Sequence, residues 1–113
     1  MARKKKPGQD DPASPTRIFE ASLGAVGAVR KGSEITQAQA EARRRAGLDV
    51  VVCGPDLAVN RRLAGAIEGA ANGAVKRCPP HANSGPDALP HFQPDPRPPE
   101  GHTFYETPNR KAR

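Results

Sequence analysis

Eight of the thirteen prolines in this 113-residue chain fall between residues 79 and 99, in "PPHANSGPDALPHFQPDPRPP". Proline lacks a backbone N–H and holds φ fixed, so neither a helix nor a central strand can run through such a stretch. What it permits is short or edge strands joined by rigid turns. This region, extended to Glu106, also holds all three histidines (His81, His91, His102), two of the three Phe (Phe92, Phe104) and the single Tyr105. It is therefore either a polar, loop-rich tail or the place where chemistry sits.

The remaining material supports one modest core. Only 35% of residues are hydrophobic and 4% aromatic, which is lean for a single small domain. Residues 1–16, "MARKKKPGQDDPASPT", are polar and aperiodic and read as a disordered basic tail. Residues 17–106 read as one domain, with the motif-bearing core at 36–106, and residues 107–113 as a second basic tail. No apolar run approaches the roughly 20 residues of a membrane span. "MARKKKPGQDDP" has no apolar segment behind its charges, as a secretory signal would. The expectation is a soluble monomer made in the cytoplasm, acting in the producer or a target cell, or delivered as part of a secreted effector.

Periodicity orders the elements. Ile18, Phe19, Leu23, Val26 and Val29 form a stripe that suggests a short helix, weakened by Gly24 and Gly27. "ITQAQAEARRRAG" is a better one: Thr36 with Gln39 makes a capping box, Arg43, Arg44 and Arg45 suit the negative end of the helix dipole, and Gly47 stops it. "LDVVVCG" reads as a buried strand. "GPDLAVNRRLAGAIEGAANG" reads as a helix with Val59, Leu63, Ile67 and Ala70 on its apolar face, Asp56 in its first turn, Glu68 as a surface charge and Gly73 at its end. "AVKRC", "ALPHFQ" and "HTFYET" are three further short strands. In the last, alternation sets His102, Phe104 and Glu106 against Thr103 and Tyr105. The sum is an α+β domain: two or three helices packed on a small, mainly antiparallel sheet of about four short strands.

A net charge of +6 favours an anionic partner, nucleic acid being the commonest. RNA cleavage needs a base for the 2′-OH, an acid for the leaving 5′-oxygen and cations for the phosphorane charge. His91 and His102 lie on neighbouring strands and suit proton transfer, with His81 as a third candidate. Lys76, Arg77, Arg97 and Arg61 supply cations, and Thr103 and Tyr105 supply hydroxyls. A zinc site is the rival use: Cys78 and His81 have a C-x-x-H spacing, with Cys53, His91 and His102 to complete it. That is one short pair where a zinc knuckle uses two. The turn "VVVCGPD" lacks the spacing of a dinucleotide or phosphate loop. A different class of reading keeps the histidines structural and makes the chain a basic module that binds nucleic acid or protein without turnover.

The strings "DVVVCGPD", "LPHFQPD" and "GHTFYE", within a likeness spanning about residues 36–106, resemble the C-terminal toxin domains of bacterial polymorphic toxins. These are the domains appended to Rhs or contact-dependent inhibition proteins. The resemblance implies a metal-independent endoribonuclease of the small barnase-like or colicin-like class, with no cofactor and with a dedicated immunity protein as partner. It implies active-site roles for His91, His102, Thr103 and Tyr105, and for His81 of "PPHANSGP".

Overall fold

The computed structural model of the protein describes residues 16–80, 85 and 87–113. Its elements run β1 (Arg17–Leu23), β2 (Val29–Ile35), α1 (Gln37–Arg45), β3 (Val50–Cys53), α2 (Leu57–Asn72), β4 (Val75–Cys78), β5 (His91–Pro94) and β6 (Thr103–Tyr105). The class is α+β, but the expectation of about four strands is corrected. The sheet has six, in the order β2-β1-β3-β6-β5-β4. It is mixed: β3 and β6 run parallel, and the other neighbours are antiparallel.

The two additional strands come from residues 17–35, where the apolar stripe suggested a helix. Ile18 and Phe19 enter cores on opposite sides of the sheet, which the alternation of a strand permits and one helix face does not. Gly24 and Gly27 fall in the turn between β1 and β2, where Gly27 takes φ 78. β2 escaped notice because it is an edge strand, exposed along most of its length after the buried Val29, and so carries no apolar alternation.

The other elements follow their local signals. Thr36 caps α1 and Gln39 reaches back to it, completing the box. Asp56 caps α2 by accepting from the Val59 N–H, and Gly73 ends the helix at φ 80. The buried face of α2, however, is Asn60, Ala64, Ile67 and Glu68. Val59 and Leu63 lie half-buried beside it and Ala70 is exposed.

Both faces of the sheet are covered. On the first, α1 and α2 pack Ala40, Ala64 and Ile67 onto Ile18, Val50, Val52 and Tyr105. On the second, Ala21, Val29, Val51, Cys53, Leu89 and Phe104 form a separate core with Ala112 against it. Residues 107–113, read above as a basic tail, cross this second face. The Ala112 N–H donates to Glu106, and the backbone of Arg113 bonds to Val29 and Lys31 on β2. The Arg113 side chain pairs with Asp87 at 2.6 Å. Among the described residues no helix is long and apolar enough to cross a membrane.

One ion pair is wholly enclosed between the helices and the sheet. Arg44, read above only as a helix-dipole partner, and Glu68, read as a surface charge, are each 0% exposed and meet at 2.7 Å. The Arg44 guanidinium also donates to the Leu48 and Glu100 carbonyls, both at 3.0 Å. Glu68 accepts from the Thr103 hydroxyl at 2.8 Å and from Asn72 at 2.6 Å. Desolvated charges are tolerated only when their hydrogen-bonding capacity is filled in this way. Gly101 leaves room for the arrangement: it sits at φ +94, and a Cβ there would lie 2.5 Å from Arg44 Nη1.

Removing one partner strands the other charge, so Glu68→Ala is expected to cost about 3–5 kcal/mol. Thr103→Val, which takes one donor from the carboxylate, is expected to cost roughly 1–3 kcal/mol. Urea denaturation of the two variants beside the native chain measures both.

Candidate active site

β5 and β6 are antiparallel with His91 opposite Phe104, so His91 lies on the second face of the sheet, the side without helices. His102, two residues before Phe104, is on that face too, as alternation predicts. The two imidazoles meet edge to face at 4.7 Å, and Phe104 contacts both, at 5.5 Å from His91 and 4.9 Å from His102. The expectation that two short strands would bring His91 and His102 together is met by this geometry.

The third member of the cluster is Asp49, which sequence reasoning did not single out. Oδ1 of Asp49 accepts from the His102 backbone N–H at 2.8 Å and stands 3.1 Å from His102 Nδ1. A carboxylate can only accept, so Nδ1 carries the proton and Nε2 is left as the basic nitrogen. The signal was present in "LDVVVC": an acidic residue directly before a fully buried strand, which β6 enters in parallel register.

The two histidines are not equivalent. His91 is 1% exposed, with Nδ1 3.5 Å from the Leu89 carbonyl, whereas the His102 side chain is 18% exposed and Asp49 equally so. In this arrangement His102 alone of the pair reaches the surface, and His91 is the wall against which its ring rests. Arg97 stands at the same end of the sheet. It donates to the Gly101 carbonyl at 3.1 Å, to Gln93 at 3.3 Å and to Glu100 at 2.8 Å.

The remaining predicted site residues lie elsewhere. Thr103 is 0% exposed and its hydroxyl is committed to Glu68 on the helix side. Tyr105 also faces the helices, 4% exposed and tilted against Phe92 at 5.7 Å. Lys76 and Arg77 are exposed on β4 and Arg61 is exposed on α2. His81 lies outside the described residues. So the sheet separates the expected hydroxyls from the expected imidazoles, because alternate residues of a strand must face opposite ways.

Among the described residues no three His, Cys, Asp or Glu side chains cluster closely enough to hold a metal ion. Cys53 is buried under the C-terminal residues. Burial and then the charge of Glu106 push its thiol up to about 12, while Lys31 and Lys111 pull the other way. A groove of about 980 Å³ opens between β1, β2 and the two helices, lined by Ile18, Ile35, Leu63 and Arg62 among others. It holds no histidine, and the clustered acid–base groups are on the other side of the sheet.

No family model matches the chain, and neither the curated proteins nor the solved structures give a match.

The contrast between the two cysteines is directly testable. Thiolate is the reactive form, so iodoacetamide at mildly alkaline pH is expected to label the half-buried Cys78 and spare Cys53. Peptide mass spectrometry reads the two sites, and both should label once the chain is unfolded in urea.

Proposed function

We propose that the protein is a metal-independent ribonuclease in which His102, oriented by Asp49, is the group that moves the proton. The Asp49–His102 contact is the observation that carries this reading. It fixes the tautomer, leaves Nε2 basic and lies at the surface of a chain whose charge favours a polyanion. In the reaction, Nε2 takes the proton of a ribose 2′-OH and the 2′-oxygen attacks the adjacent phosphorus. The bond to the 5′-oxygen then breaks, and that oxygen leaves with the proton held by the imidazolium. The products are a 2′,3′-cyclic phosphate and a free 5′-OH. His91 is a positioning residue, since its ring backs that of His102. Arg97 stands next to the pair and supplies positive charge to the phosphate. Thr103 and Tyr105 leave the catalytic assignment and belong to the other side of the sheet. The toxin resemblance of "LPHFQPD" and "GHTFYE" agrees with this reading, and under it an immunity protein would cover the His102 surface.

A second reading keeps the chain non-catalytic, a basic module that binds nucleic acid. What favours it is the near-complete burial of His91, which denies substrate an open pair of imidazoles.

The two separate in one assay: purified protein with total RNA in excess EDTA. Cleavage is expected, reduced about 10²- to 10⁴-fold by His102→Ala, the usual reach of a general base. Asp49→Asn, which no longer holds the imidazole in its tautomer, is expected to lose about 10²-fold or more. Intact RNA in every lane, with salt-sensitive binding, would leave the second reading standing.

A further inference from the structure

Tyr105 carries a phenol hydroxyl to the helix side of the sheet. The residue is 4% exposed, and among the described residues no hydrogen bond to its hydroxyl is formed. Two arginines close on it from different elements. Arg77 on β4 is directly opposite Phe92 on β5, and Phe92 rests against the Tyr105 ring. Arg61 lies one turn before Gly65 on the same line of α2. Gly65 brings the helix down onto Phe92, since a Cβ there would stand 3.3 Å from the ring. Both arginines are exposed, and neither has an ion-pair partner among the described residues. Their charges are near enough to act on the titration of the phenol, opposing the upward push of its burial.

We propose that Arg61, Arg77 and the Tyr105 hydroxyl form a phosphate-binding site on the helix side of the sheet, which takes a backbone phosphate of single-stranded RNA. A protonated phenol donates and two guanidiniums offer paired N–H groups, the donor set that suits a phosphate with several acceptor oxygens. The location is apt. β3, β6 and β4 all end here and α2 begins here, so the two guanidiniums and the phenol share one end of the sheet. A phenol whose ordinary value is 10.0 is protonated at neutral pH and so is a donor.

The site stands apart from the cleavage proposed above, because it is on the opposite face from His102. A strand held at both would pass around the free edge of β4. There the register puts Lys76 opposite Gln93, the residue that Arg97 contacts on the His102 side. Alternation along one edge strand thus points Arg77 to one face and Lys76 to the other.

The chain has one tyrosine and no tryptophan, so its tyrosine emission reports Tyr105 alone. The probe is a short 2′-O-methyl RNA oligonucleotide, which cannot be cleaved through its 2′ position. A saturable change in emission is expected, with the binding midpoint weakened about tenfold in Arg61→Gln/Arg77→Gln. Arg62→Gln, which removes an equal charge one residue from Arg61, is expected to keep the native midpoint. The oligonucleotide reads binding without cleavage, so a failed cleavage assay and a failed phosphate site give different results. Alkaline titration of the phenol should place its midpoint above the ordinary 10.0, and higher again in the double variant, where no cations favour the phenolate. Emission that never responds to RNA, or equal weakening by Arg62→Gln and Arg61→Gln/Arg77→Gln, would overturn the proposal.

Discussion

Everything at the centre of this molecule is arranged around a charge pair that water does not reach. Arg44 and Glu68 come from the two helices, and their remaining hydrogen-bonding positions are filled from Leu48, Glu100, Thr103 and Asn72. A single desolvated carboxylate thereby ties α1, α2 and β6, and its guanidinium partner ties in the segments before β3 and before β6. Such a pair adds little stability over a well-packed apolar replacement, because desolvation offsets the Coulomb attraction. What it adds is a demand for one geometry: any slip of α1 along α2, or of β6 along β3, leaves a buried charge unmatched.

That demand reaches the candidate site directly. Thr103 faces the ion pair, and its neighbour His102 faces the other way, onto the second side of the sheet. The strand that hangs its hydroxyl on Glu68 therefore also sets where the imidazole stands against Asp49. Asp49 in turn precedes Val50, whose backbone N–H is bonded to the His102 carbonyl. Backbone and side-chain bonds thus join His102 to the adjacent residues Val50 and Asp49, so the imidazole is placed by the sheet ladder rather than by a loop. The face on which this happens is sealed by residues 107–113 and by the Leu89 segment, which exclude water from His91 and Phe104 while leaving His102 at the rim.

The legible parts of the fold were those with a strong local cause. A capping box, a run of valines, a capping Asp and a closing Gly each act within a few residues, and each element they announced is present. The proline-rich stretch behaved likewise: β5 ends at Pro94, and β6 begins only after Gly101. What local pattern could not convey was direction. The same five apolar residues in 18–29 fit a helical stripe or two strands with opposed faces, and only the neighbouring β3 decides between them. Glu68 lies on the buried line of Asn60, Ala64 and Ile67, one position round from the expected face of Val59, Leu63, Ile67 and Ala70, and a glutamate there reads as surface until Arg44 is known to meet it. Asp49 was missed for a related reason, since its partner is 53 residues away. The sequence gathers imidazoles and hydroxyls into one stretch, and the pleat deals them to two sides.

The parallel pairing of β3 with β6 has a consequence for how such a chain comes into being. Residues 17–80 contain both helices and four of the six strands, yet the inner edge of β3 has no neighbour until β6 arrives, and the second face has no cover until Arg113 reaches β2. Pairings of this sequence separation are slow to form, because a long loop must close before any contact rewards it. On a ribosome the early segments can collapse as a helical layer against an unfinished sheet, with Asp49 facing solvent and the valines of β3 exposed on one side. The Asp49–His102 contact cannot form in that state, for His102 has not yet been synthesised. The sheet is whole only once β6 has joined β3 and the segment up to Arg113 has crossed to β2.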